Sequence, residues 1–267
     1  MEHWLDGRLL QRRVRIHLVG VGGNGAQMTA CLARLDIAMR ALGHPHGLHV
    51  HAYDDDRVSE ANVGRQLYSR ADIGRHKALV TIHRINQFYG LDWEAFPTRY
   101  ENASYRSSAD FLVSCVDSRS ARRNLHHRVF ERFGHYGYWL DLGNTESSAQ
   151  VVLGQGRETP QRNSCPRLPC VTELFPELLD ETISEDNQPS CSVRMSLASQ
   201  GLFVNDVAVR FAAQLLYELF SAGRLTQHGV MVNLESKRSA PIEIDPQAWA
   251  RFGFVEEAGA GEIKAAA

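Results

Sequence analysis

Five residues beyond a glycine-rich turn have types suited to handling a polyphosphate: Asp54, Asn62, Arg65, Lys77 and Asp117. Two cations and an amide can neutralise a triphosphate and stabilise charge developing on a leaving pyrophosphate. The turn itself lies in "HLVGVGGNGAQ", residues 17–27. Gly20 would allow a tight turn, Gly22 a close approach of backbone to phosphate, and Gly25 close packing of helix on strand. The following helix, opening at Ala26, offers free N–H groups to an anion. Taken alone, this turn fits NAD as well as ATP. The acid of a dinucleotide site usually stands about 20 residues past the glycines. Asp54 comes later, though the loop "GHPHG" (43–47) could account for the excess.

These side chains need a scaffold, and the hydrophobic pattern supplies one. Residues 14–19 read as a buried strand, 25–42 as a helix stopped by Gly43 and Pro45, and 48–54 as a second strand. A helix follows over about 74–89, then a third strand in "WEAFPTRY" (93–100). The apolar run "DFLVSCVD" (110–117) ends in an acid, as a parallel strand often does, and 119–133 read as a helix. "GYWLDLGN" and "SAQVVLGQG" give two more strands. Alternating strand and helix predicts a Rossmann-like, mostly parallel α/β sheet flanked by helices. Its ligands would sit at the C-terminal ends of the strands, where Gly22, Asp54 and Asp117 fall.

Residues 1–156 form this nucleotide-binding half. Residues 157–190, with five prolines and an acidic run, read as a long surface crossover loop. Residues 191–255 complete the same domain with a helix over 192–220 and a mixed or antiparallel extension, "GVMVNLESKRSAPIEID". Residues 256–267 read as a tail.

The stretch "DDDRVSEANVGRQLYSRADIGRHKA" (54–78) makes the combination specific. Together with the glycines and Asp117, it resembles the ThiF/MoeB/HesA family, bacterial relatives of ubiquitin-activating enzymes. The family pattern runs through a GxGGxG turn, an acidic strand end, an Asn-x-x-Arg-Gln segment, Ile/Val-Gly-x-x-Lys and a strand ending in Asp. Here these are Gly20 to Gly25, Asp54-Asp55-Asp56, Asn62, Arg65-Gln66, Ile73-Gly74, Lys77 and Asp117, and the match covers roughly 14–220. Within the family the chain looks most like the ThiF-related proteins of PRTRC cassettes.

The resemblance implies adenylation: the C-terminal carboxylate of a small ubiquitin-like β-grasp protein attacks the α-phosphate of ATP and pyrophosphate leaves. Asp54 resembles the acid that holds the ribose hydroxyls, a task suited to a carboxylate acceptor. Asp56, Asn62, Arg65, Gln66 and Lys77 fall in the nucleotide-contacting segment. Asp117 resembles the acid that holds Mg2+ beside the α-phosphate; an oxygen ligand suits that hard ion. Gly23 would lie where a peptide tail and the α-phosphate approach the backbone. Cys191, just before the long helix, resembles the thiol that accepts the activated carboxyl in some members.

Each residue also has a plainer role. Asp54 could be a turn or capping residue, Asn62 a turn residue, Arg65 and Lys77 surface charges, and Asp117 a helix cap with Ser118. Arg119, Arg122 and Arg123 read as a solvated helix face. Cys191 could be an ordinary loop thiol. Family zinc sites use two Cys-x-x-Cys pairs, which Cys165, Cys170 and Cys191 cannot supply. A three-Cys-plus-His site with His228 is the remaining option, against structural thiols. The twelve histidines show no metal-ligand spacing.

The net charge of −2 gives no global pull toward nucleic acid or membrane. Five cysteines suggest no disulfide framework, and the leader has no signal-peptide pattern, so a cytoplasmic protein is expected. Some relatives form homodimers in which a partner's arginine enters the site from an R-Y-x-R-Q segment. The leader here lacks that segment. An NAD(P)-dependent oxidoreductase and a non-catalytic ThiF-like scaffold are the competing functions. The first leaves Asn62, Arg65 and Lys77 without a shared purpose.

Overall fold

The computed structural model describes residues 1–102, 108–130, 136–156, 166–183 and 201–255. Strands β1 (His3–Trp4) and β8 (Arg224–Leu225) pair as a small antiparallel ribbon. The main sheet has eight strands in the order β10-β9-β7-β6-β5-β2-β3-β4. β2 (Val14–Val19), β3 (Leu48–Tyr53), β4 (Glu94–Phe96), β5 (Phe111–Ser114) and β6 (Tyr138–Asn144) are parallel. β7 (Ser148–Gln155), β9 (Gln227–Asn233) and β10 (Arg238–Glu243) extend the sheet antiparallel from β6. This is the mostly parallel Rossmann-like sheet with an antiparallel extension that the pattern predicts.

β2, β5 and β6 are buried almost throughout because helices cover both faces. Chain order reverses about β2, which lies between β3 and β5. Right-handed crossovers therefore carry α1 (Gly23–Ala41) and α2 (Lys77–Tyr89) to one face and α3 (Arg119–Phe130) to the other. α5 (Val204–Ala222) packs on α1 and across β6, β7 and β9. The crevice at the C-terminal ends of β2 and β5 is the switch point where such sheets bind ligands.

Three local expectations change. The long helix begins at Val204, not 192: Gly201 to Phe203 form a turn, and Gly201 donates its N–H to Glu146 O at 2.8 Å. The segment expected as surface loop carries α4 (Val171–Leu174), with Leu168, Cys170, Val171 and Leu174 buried. Four apolar side chains within seven residues outweigh the prolines around them. The third strand keeps only three residues before Pro97. The short α6 (Pro246–Ala250) lays Trp249 against the antiparallel half. No helix among the described residues is long and apolar enough to cross a membrane.

Candidate functional site

The glycine turn links β2 to α1. Gly20 takes φ +84°, open to glycine at little cost, and a β-carbon there would stand 2.8 Å from Cys115 O. A methyl on Gly25 would overlap Gly20's carbonyl oxygen, so helix and turn pack backbone to backbone. At Gly22 the nearest neighbour is the Gln66 carboxamide, 3.7 Å from where a β-carbon would be. At Gly23 a methyl would overlap the Asn205 carboxamide, which arrives from α5. The space expected beside Gly23 is thus lined by a residue the sequence motif does not contain.

Asp54 follows β3 and holds the turn in place. Its Oδ2 accepts the Val21 N–H at 2.6 Å and its Oδ1 the Asp56 N–H at 2.9 Å. Burial raises its carboxyl above the usual range, with Lys77 and the Val21 N–H opposing the shift. Lys77 is buried at the first position of α2, where the helix dipole disfavours a cation. Its Nζ donates to exposed Asp56 at 2.7 Å. One carboxylate oxygen from each of Asp54, Asp55 and Asp56 lies within 4.8 Å of the others. Each is already engaged, Asp55 by Arg99 Nε at 3.0 Å.

Asn62 closes a short 3-10 turn: its Oδ1 accepts the Ser59 N–H at 2.9 Å. The turn role is therefore filled, and the rest of the carboxamide stays half-buried. Arg65, half-buried, faces Asp117: burial lowers the guanidinium's pKa and the Asp117 charge opposes this. Gln66 is buried, and its Oε1 has no hydrogen-bond partner. Asp117 is exposed after β5. Ser118, whose Oγ accepts the Ala121 N–H at 3.2 Å, caps α3 and leaves Asp117 free of that duty. Gly20, Gly22, Asp54, Lys77, Arg65 and Asp117 thus share one edge of the sheet.

Arg122 is not on a solvated face. It is buried, its Nε lies 3.1 and 3.2 Å from the two Asp141 oxygens, and its Nη2 donates to Val116 O at 2.8 Å. Ser114 Oγ donates to Asp141 at 2.5 Å and accepts Trp139 Nε1–H at 2.7 Å. This network fixes the backbone just before Asp117. The signal was an acid inside the apolar run "YWLDL". A second unforeseen group is Asn24, whose Nδ2 donates to Asn144 Oδ1 at 2.8 Å. Asn24 Oδ1, Asn144 Nδ2 and Asn205 Nδ2 are buried without partners.

The zinc option through His228 fails. Its Nε2 accepts Trp249 Nε1–H at 2.8 Å, so its Nδ1 donates to Leu153 O, also at 2.8 Å. Both ring nitrogens are spent. Cys170 is a core thiol packed against Gly154, and burial raises its pKa well above the usual value. Cys165 and Cys191 lie outside the described residues.

Fold and turn together define a nucleotide-binding α/β protein with its glycine turn at the switch point of the sheet. The chain belongs to the ThiF family, whose model matches residues 5–243. Among solved structures it is similar to PaaA, with TM-score 0.56 and 16% identity over 87% of this chain and 73% of PaaA. It is also similar to E. coli MccB, with TM-score 0.57 and 15% identity over 89% of this chain. It spans 64% of MccB's length, and MccB is also solved with ATP and with MccA. At these identities the likeness is one of fold. A search of the curated proteins finds none that matches.

Proposed function

We propose that the protein adenylates the C-terminal carboxylate of a small β-grasp or peptide partner with ATP. The carrying observation is the convergence of the glycine turn, Asp54, Lys77, Arg65 and Asp117 on one sheet edge. Family membership, and the ATP bound by structurally similar MccB, support the same reading. A carboxylate oxygen of the partner attacks the α-phosphorus, the bond to the bridging oxygen breaks, and pyrophosphate leaves. Arg65 and Lys77 balance the charge on the departing group, and Asp54 keeps the turn shaped for phosphate. Mg2+ bound by Asp117 would neutralise phosphate charge; an exposed carboxylate not used as a cap fits that role.

Onward transfer to Cys191 is the second step of the proposal. Its sulfur bonds the acyl carbon and AMP leaves. The test is carboxyl-dependent ATP–pyrophosphate exchange with β-grasp proteins from neighbouring genes. Exchange is expected only with the partner present, and NAD should not compete. Tight ATP binding without exchange against every such partner would favour the scaffold instead. Cys191→Ser should keep exchange and lose a thiol-labile adduct.

A further inference from the structure

On the face of the sheet opposite α1 and α2, three imidazoles and a carboxylate sit side by side. Alternation along β3 sends His49 and His51 to the same face. Glu94 on β4 is the register partner of His51, and His17 on β2 is its partner on the other side. We propose that His49, His51 and Glu94 form a binding site for a divalent transition metal that clips edge strand β4 to β3.

The geometry carries this. His49 Nε2 and His51 Nε2 lie 3.2 and 3.3 Å from the same oxygen, Glu94 Oε1. One ligand atom from each of the three residues lies within 4.8 Å of the others. A tetrahedron with metal–ligand bonds of about 2.0–2.1 Å has edges of roughly 3.3 Å, so an ion fits after a small adjustment of the two rings. Two imidazoles and a carboxylate suit Zn2+ or Co2+, and a fourth position stays open for water.

The surroundings match those of a ligand set. His17 stacks on His51 at 5.4 Å with planes 16° apart, and His17 Nδ1 is fixed by Tyr100 Oη at 2.8 Å. His49 Nδ1 lies 3.8 Å from the Asp92 carboxylate, beyond hydrogen-bond reach, so Asp92 acts on the ring as a nearby negative charge. Asp92 is itself held by Arg13.

A hydrogen-bonded histidine cluster is the ordinary alternative, and it leaves too much unpaired. His49 Nδ1 and both ring nitrogens of His51 are buried without a hydrogen-bond partner. Leaving such atoms unpaired is costly. The His51–Glu94 contact has the separation of an ion pair but not the alignment of a hydrogen bond. An ion would satisfy His51 Nε2. The cluster is distinct from the nucleotide edge: His51 precedes Asp54 by three residues, about 10 Å along a strand.

The test is titration of tag-free, metal-stripped full-length protein with Co2+, followed by Zn2+ competition. Expected are one Co2+ per chain, visible bands of a four-coordinate ion with nitrogen and oxygen donors, displacement by Zn2+, and a rise in Tm with Zn2+. His51→Ala and Glu94→Gln should each weaken binding by more than the roughly 10–100-fold typical of an outer-shell change. Glu94 is exposed on an edge strand, so its variant stays folded and keeps the test decisive if His51→Ala does not. Three outcomes overturn the proposal. They are no saturable Co2+ binding, binding undiminished in Glu94→Gln, or a thiolate charge-transfer band placing the ion on cysteines.

Discussion

The two halves of the main sheet treat buried polar groups differently. In the antiparallel half, β7, β9 and β10, each is closed off: His228 spends both nitrogens on Trp249 and Leu153, and Cys170 Sγ donates to Gln155 O at 3.4 Å. Among the described residues, no buried side-chain nitrogen or oxygen on these strands lacks a partner. At the C-terminal edge of the parallel half, Gln66 Oε1, Asn24 Oδ1, Asn144 Nδ2 and Asn205 Nδ2 all lack one. Folding pays for such atoms, so their concentration marks where a ligand's polar groups would complete the set. One half closes its polar groups with its own hydrogen bonds; the other leaves several open at the edge where the nucleotide is proposed to bind.

The largest effect should come from breaking the closed network that borders the open edge. Removing one member of a buried ion pair costs about 3–5 kcal/mol. Arg122→Ala should therefore lower the urea midpoint strongly, and a near-wild-type midpoint would mean that Arg122 and Asp141 carry little of the frame.

Next comes the open edge itself. Arg65→Ala should reduce pyrophosphate exchange by about 10²–10³-fold, as loss of a charge-stabilising group does elsewhere. Its Tm should barely move. Equal losses of stability and activity would assign Arg65 to structure.

The closed half predicts a pH response. Burial lowers His228 from 6.5 to about 4, opposed by its bond to Leu153. Between those values the unfolded chain binds a proton that the folded one does not. Stability is then full above about pH 6.5 and falls by about 3 kcal/mol as the pH drops to 4. His3, lowered to about 4, and His17, to about 3, act with the same sign. Urea melts at pH 7 and 4.5 should show the fall, and His228→Gln should flatten part of it.

The smallest stability change is expected at Asn205→Ala, within about 1 kcal/mol, because it removes an unpaired donor as well as packing. Exchange activity should drop more than stability. A large stability loss would place Asn205 with the closed set.

Local and periodic information was readable in the sequence. Gly20 and Gly25 do the backbone work their spacing implies, and most strands lie where alternation or apolar runs put them. What escaped was non-local. Arg122 looked like one more arginine on a basic helix because its partner, Asp141, is 19 residues away on strand β6. Asn205 reaches Gly23 across a chain separation that no motif spans. The early start assigned to α5 followed apolar content through Gly201, where a turn intervenes. The His49, His51 and Glu94 cluster escaped a spacing search because the third member stands on a neighbouring strand.

The ends of the main sheet carry a last consequence. β4 is three residues long, and β10 carries Pro241 in its middle with most of its residues exposed. Proline removes a donor from a ladder, and a three-residue strand offers few. Neither flank is a good template for another chain's backbone. The β-rich partner of the proposed function would be recognised through side chains rather than by strand addition at these flanks, and this same bluntness protects the molecule against stacking edge to edge with itself.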